Sequence, residues 1–168
     1  MMKLAAAAVL ALLARAAEPT GIERILAYQG TWKIETEHFA TRFSKAEKES
    51  STLRNDCWRS AGYFVCDQFV NGESKDLMVF TYDPKEDSYH SYSVPAGGGE
   101  GGSGKLLING NVWTFPWDRE EDGKIFHFRV VNVFTTPGSI EYRQEFSDDK
   151  VHWTVTAKGL EHKLEEAR

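Results

Sequence analysis

Lys124-Ile125-Phe126-His127-Phe128-Arg129-Val130 and Ile140-Glu141-Tyr142-Arg143-Gln144-Glu145-Phe146 stand on either side of Pro137-Gly138. In both runs one parity is mainly apolar and aromatic, while the other carries His127, Arg129, Glu141, Arg143 and Glu145. Successive side chains of a strand point to opposite faces, so each run reads as a strand with one dry and one wet face, and the Pro-Gly pair supplies the reversal between them. The same rhythm extends outward in both directions. Asn71-Gly72, Asp83-Pro84, Asn109-Gly110, Asp122-Gly123 and Asp148-Asp149 divide the chain from Trp32 to Thr156 at near-regular spacing. Those dipeptides provide the backbone angles of tight turns, so the pattern predicts an antiparallel meander. The segments 32–38, 47–59, 63–71, 76–82, 88–94, 104–109, 111–117, 124–135, 139–147 and 151–157 give about ten strands. An open meander leaves two unpaired edges. The fold class that follows is all-β, an antiparallel up-and-down β-barrel.

Ahead of the strands, Thr20-Gly21-Ile22-Glu23 has the spacing of a capping box, and Ile22, Ile25 and Leu26 follow at helical intervals up to Gly30. A helix this short is stable only when its apolar stripe rests on something, so it is expected to close one end of the barrel. Earlier still, Lys3 and an apolar run from Leu4 to Ala14, followed by Ala14-Arg15-Ala16, match a secretory signal peptide over residues 1–16 with cleavage after Ala16. The run is far short of the roughly twenty apolar residues of a membrane span, so no stable membrane insertion is expected after cleavage. Residues 17–168 then read as one domain of an exported protein, periplasmic or secreted. The net charge of −5 is modest and the acids and bases are interspersed, which argues against nucleic acid as a partner.

Cys57 and Cys66 are the two cysteines. With Ala61-Gly62 as a two-residue turn, Ser60 pairs with Tyr63 and Cys57 faces Cys66, at a non-hydrogen-bonded position where Cα atoms lie about 4.5 Å apart. In an exported chain that register predicts a disulfide. A bulge at Gly62 would instead put the sulfurs on opposite faces. The same register sets Asn55 opposite Gln68 on the cysteine face and Asp56 opposite Asp67 on the other. Facing carboxylates repel, so the aspartates are read as outward, with a proton-sharing pair in the lumen as the alternative.

The search for chemistry finds no catalytic set. His38, His90, His127, His152 and His162 include no pair at metal-ligand spacing, no Gly-x-Ser-x-Gly elbow is present, and Gly97 to Gly104 lacks the ending of a phosphate-binding loop and reads as a mobile connection. The parities read as inward are rich in rings, with polar groups among them. Trp32, Thr36, His38, Asn55, Gln68, Trp113, Phe115, Phe126, Phe128, Tyr142, Phe146 and Trp153 are therefore the candidate ligand-binding residues of an apolar pocket with a few directing polar groups, with a filled core of packed rings as the alternative. Leu77-Met78-Val79-Phe80-Thr81-Tyr82 is apolar on both parities, which predicts that the helix or a second subunit covers its outer face, so the chain is read as monomer or homodimer.

Gly30-Thr31-Trp32, behind a short helix and opening the first strand, resembles the lipocalin and wider calycin barrels. Tyr28-Gln29-Gly30-Thr31-Trp32, Cys57-Trp58 with Val65-Cys66-Asp67-Gln68, and Phe80-Thr81-Tyr82-Asp83-Pro84 with Ser88-Tyr89 are similar to a family of small secreted bacterial proteins of unknown function with a lipocalin-like barrel. The resemblance implies a ligand-binding barrel without naming a ligand. The expectation is a non-catalytic barrel holding a small, largely apolar ligand, with no metal and no cofactor. The alternatives are a haem or gas-binding barrel of the nitrobindin kind, for which His152 and His162 are the histidines nearest the C-terminal position such a haem would need, and a structural or interaction protein with no ligand.

Overall fold

A computed structural model describes residues 20–165; the signal segment 1–16 lies outside them. A 3₁₀ helix, Gly21–Tyr28, leads into ten strands: β1 (Gly30–His38), β2 (Glu47–Ser60), β3 (Tyr63–Val70), β4 (Glu73–Asp83), β5 (Ser88–Pro95), β6 (Gly102–Asn109), β7 (Val112–Glu121), β8 (Lys124–Thr136), β9 (Ser139–Ser147) and β10 (Thr154–Lys163). Each strand pairs with its sequence neighbours, and β1 pairs with β10, so the sheet closes into an up-and-down barrel. The turns work as their residues require: Asn71 and Gly72 (φ 51 and 85°) and Asp122 and Gly123 (φ 54 and 73°) all take the left-handed angles of hairpin turns.

The helix packs against β2, β3 and β4 and closes the end where the chain enters β1. Ile22 and Ile25 are buried there against Phe64, Phe80, Tyr89, Leu106 and Trp113. The capping box does not form, because Thr20 makes no side-chain cap and the Glu23 carboxylate instead accepts from the Arg59 guanidinium. Gly30 (φ 111°) is already the first residue of β1, with Gln29 ending the helix. Nor does the helix cover the outside of β4. It rests on the inward residues of that strand, and Met78 and Tyr82 join the core beneath it, while Leu77 and Val79 stay half-buried on the other face.

The hairpin register is as expected, with Ser60 opposite Tyr63, Asn55 opposite Gln68 and Asp56 opposite Asp67. Cys57 and Cys66 are bonded, their Cα atoms 4.0 Å apart. Asp56 pairs with Arg54 at 3.3 Å and is half exposed, so the aspartates form no lumenal acid pair.

The last strand departs from the sequence expectation. It begins at Thr154 rather than Val151 and runs on through the charged stretch to Lys163. A bulge between Val155 and Ala157 resets its register against β9. Val155 therefore lies opposite Glu145, on the outer face, and Trp153 precedes the strand altogether. Trp153 stacks on the Arg129 guanidinium (3.7 Å to the ring) and donates to the Lys150 carbonyl. Beneath that stack Arg129 and Arg143 both donate to the buried Glu145 carboxylate, at 2.5 and 2.8 Å. Trp153 belongs to an external cluster, not to the interior.

Gly159 serves the closure of the barrel. It lies between Thr36 of β1 and Tyr142 of β9. A Cβ there would come within 2.3 Å of the Glu35 carbonyl and 2.6 Å of the Tyr142 ring. The space it leaves is crossed by the tyrosine, whose hydroxyl hydrogen-bonds to Thr36 Oγ1.

Candidate functional site

The interior is organised around Tyr28, where the helix turns into β1. Its carbonyl accepts from Trp32 Nε1 (3.0 Å) and from Asn55 Nδ2 (3.1 Å), and Asn55 Oδ1 in turn accepts from Gln68 Nε2 (2.9 Å). The ring is embedded edge-on against Trp113 and Phe134, with centroids 5.1 and 5.5 Å away, and lies beside Phe115. Its hydroxyl accepts from Asn132 Nδ2 at 2.7 Å. Burial pushes the phenol far above its ordinary range and keeps it neutral.

Next to this network is a cavity of about 200 Å³. Leu53, Met78, Phe80, Phe115 and Val130 give it apolar walls, and Tyr28, Asn55, Gln68, Asn132 and Glu161 supply polar atoms. Two acceptors there lack partners among the described residues. Asn132 Oδ1 is buried with no hydrogen bond. The Glu161 carboxyl, in a residue only 8 % exposed, is raised to about 7 by desolvation alone, with no cation or donor acting to lower it.

The opposite end is plugged by the segment between β1 and β2. Phe43 inserts among Phe126, Phe128 and Phe146, with ring centroids 5.1, 5.1 and 4.8 Å away. The Arg42 and Arg119 guanidiniums cover it from outside at 4.9 and 4.8 Å. His38 lies at this end and meets Glu49 at 3.3 Å.

The sequence candidates thus separate into groups. Asn55, Gln68 and Phe115 line the cavity. Trp32 and Trp113 frame it through Tyr28. Phe126, Phe128 and Phe146 build the plugged end, Thr36 and Tyr142 form the strut across Gly159, and Trp153 is outside. Asn132, an inward polar residue on the parity of the β8 rings, also lines the cavity, whereas Tyr28 and Glu161 were not marked by the sequence as members of this site. For Glu161 the available signal was alternation past Ala157: with the barrel closed, Ala157, Gly159 and Glu161 share the inward parity.

A larger open depression, about 820 Å³, lies mainly on the outer face of β8, β9, β10, β1 and β2, between Val133, Leu160 and a set of charged side chains. Within that set Lys48 and Lys158 both reach Glu37, at 3.4 and 3.2 Å. The interior cavity, with its unpartnered acceptors, is the better candidate.

Haem does not fit the residues present. No histidine lines the cavity. His152 is exposed against Asp149, and His162 contacts Ser139 at the surface. Among the described residues no group of three or more His, Cys, Asp or Glu side chains could hold a metal ion, and no helix is long and apolar enough to cross a membrane.

No family model matches the chain, and no curated protein matches it. Among solved structures it aligns with one described as a redesigned beta barrel, at 11% identity and a TM-score of 0.38, over 83% of this chain and 93% of the other. Fold and site together define a closed ten-stranded antiparallel barrel with a small, mixed apolar and polar cavity inside it.

Proposed function

We propose that this is an exported, non-catalytic, lipocalin-like barrel that holds a small, largely apolar molecule in its interior. The observation that carries the reading is the cavity of about 200 Å³, whose apolar walls enclose directing amides and one carboxyl. A dry cavity of roughly 150 Å³ accepts benzene, so an occupant of about that size or slightly larger suits the space. Export is supported by the signal-like start of the sequence and by the Cys57–Cys66 disulfide, a bond that persists in oxidising compartments. The burial of Trp32 at the helix-closed end is in keeping with the lipocalin resemblance.

The test is a thermal-shift and tryptophan-fluorescence titration with toluene. Binding to the native state stabilises it by RT ln(1 + L/Kd), with L the free ligand concentration, so the melting temperature rises with the logarithm of that concentration once it exceeds Kd. Filling the cavity by Val130→Phe or Met78→Phe should remove the shift. A wild-type protein indifferent to toluene and similar apolar probes would refute the reading.

A second reading rests on the outside of the barrel. Trp58, Val65, Val79 and Tyr92 form a cross-strand row from β2 to β5, and Trp58 and Tyr92 are nearly half exposed. Such a row suits an interaction protein or a homodimer. Molecular mass in solution, before and after Trp58→Lys, distinguishes this reading from a monomeric binder.

A further inference from the structure

We infer that the interior cavity selects a primary ammonium on a small apolar body, with the ammonium held between the Glu161 carboxylate and Asn132 Oδ1. The inference rests on the interior-binding reading above and adds the chemistry of the head group.

Two independent observations point to a donor-bearing ligand. Asn132 projects from β8 with its Nδ2 already committed to the Tyr28 hydroxyl, which leaves Oδ1 buried and unmatched. Glu161 projects from β10 into the same cavity, and no described residue donates to it. Native proteins rarely leave a buried acceptor unmatched, and Asn132 Oδ1 beside the cavity-lining Glu161 carboxyl amounts to a demand for N–H or O–H groups. An ammonium supplies three donors and the positive charge a desolvated carboxylate needs.

The surroundings offer no competing cation. The titratable groups facing Glu161 are Tyr28 and Tyr142, both held neutral by burial, and both feel its negative charge. Lys163, two residues further along β10, has its Nζ over the Trp32 ring, 5.4 Å from the centroid, and burial alone acts on the Glu161 carboxyl. The rest of the wall is Leu53, Met78, Phe80, Phe115 and Val130, suited to an aryl or short alkyl body.

The experiment is calorimetric titration of the full mature protein with benzylamine and, separately, with toluene, at about pH 8, where Glu161 is largely ionised. Benzylamine is expected to bind about tenfold tighter or better, as a charge-assisted contact in a desolvated site should allow. In Glu161→Gln that preference should vanish while toluene binding persists. The wild-type preference should also shrink at about pH 5, where Glu161 is protonated and benzylamine still charged, so the comparison holds even if the variant does not fold. Toluene binding with no benzylamine preference would overturn this inference and leave the interior-binding reading standing. Failure of both probes would overturn both, and a benzylamine affinity unchanged in Glu161→Gln would place the amine elsewhere and reject the assignment.

Discussion

Replacing Glu161 with glutamine should make the protein more stable in mild base and leave it almost unchanged in mild acid. The Glu161 carboxyl titrates at about 7 against an ordinary 4.5, because burial penalises its charged form. At about 1.4 kcal/mol for each pH unit of that gap, the ionised side chain costs the fold about 3 kcal/mol. The sign follows from linkage: the folded protein binds this proton more tightly than the unfolded chain does. Stability from this group is therefore whole below about pH 4.5, declines as pH rises towards about 7, and stays reduced above it. Glutamine keeps the shape and removes the titration. Urea unfolding of wild type and Glu161→Gln, followed by tryptophan fluorescence, should show the variant's advantage growing by about 3 kcal/mol between pH 4.5 and 8, or about 6 to 12 °C in Tm for a chain of this size. The histidines titrate in the same window but are common to both proteins and cancel in the difference. A variant-minus-wild-type difference that stayed flat across that range would show that the carboxyl is solvated or paired, and would refute the reasoning.

Asn55→Ala removes a donor to the Tyr28 carbonyl and strands Gln68 Nε2; a loss of about 1 to 3 kcal/mol is expected in the same urea assay. Phe43→Ala takes away three ring contacts at the plugged end, so a loss of about 2 to 4 kcal/mol is expected, with faster amide exchange confined to the neighbouring ends of β8 and β9. His152 is raised above its ordinary range by the Asp149 carboxylate beside it; an NMR titration should show this, and Asp149→Asn should return the histidine to that range. Reduction should add the mass of two hydrogens to the protein and lower its stability by no more than about 2 to 3 kcal/mol, because the Cys57–Cys66 loop is short.

The hairpins were legible in the sequence because their information is local. Period-two alternation assigns the faces, and two-residue turns fix the register, so with Ala61-Gly62 as the turn the cysteine pairing and the outward aspartates are read residue by residue. What could not be read depends on distant partners. Leu160-Glu161-His162-Lys163 looks like a solvated tail until β1 is set beside it, and only then is one of its charges seen to face inward. Trp153 lies outside because it precedes β10 and is held against Arg129 and the Lys150 carbonyl, and the bulge after Val155 separates it from the parity that carries Ala157, Gly159 and Glu161 inward. Phe43 sits in a connection without periodicity, so nothing marked it as the plug. The helix forms where the sequence places it, but the capping box expected at its start does not, since Glu23 accepts from Arg59 rather than from the Thr20 backbone.

The pairing of Trp32 with Lys163 and of His38 with Ala157 joins the first strand of the chain to the last. Every other contact in the sheet can form between neighbouring strands as they emerge, but this one must wait for β10, and such distant pairings slow folding. A chain ending at Ser147 would possess eight successive hairpins and yet present two bare flanks, β1 and β9, each a template for a stranger's strand. The short, highly charged C-terminal segment is thus what separates a self-contained cylinder from an adhesive ribbon.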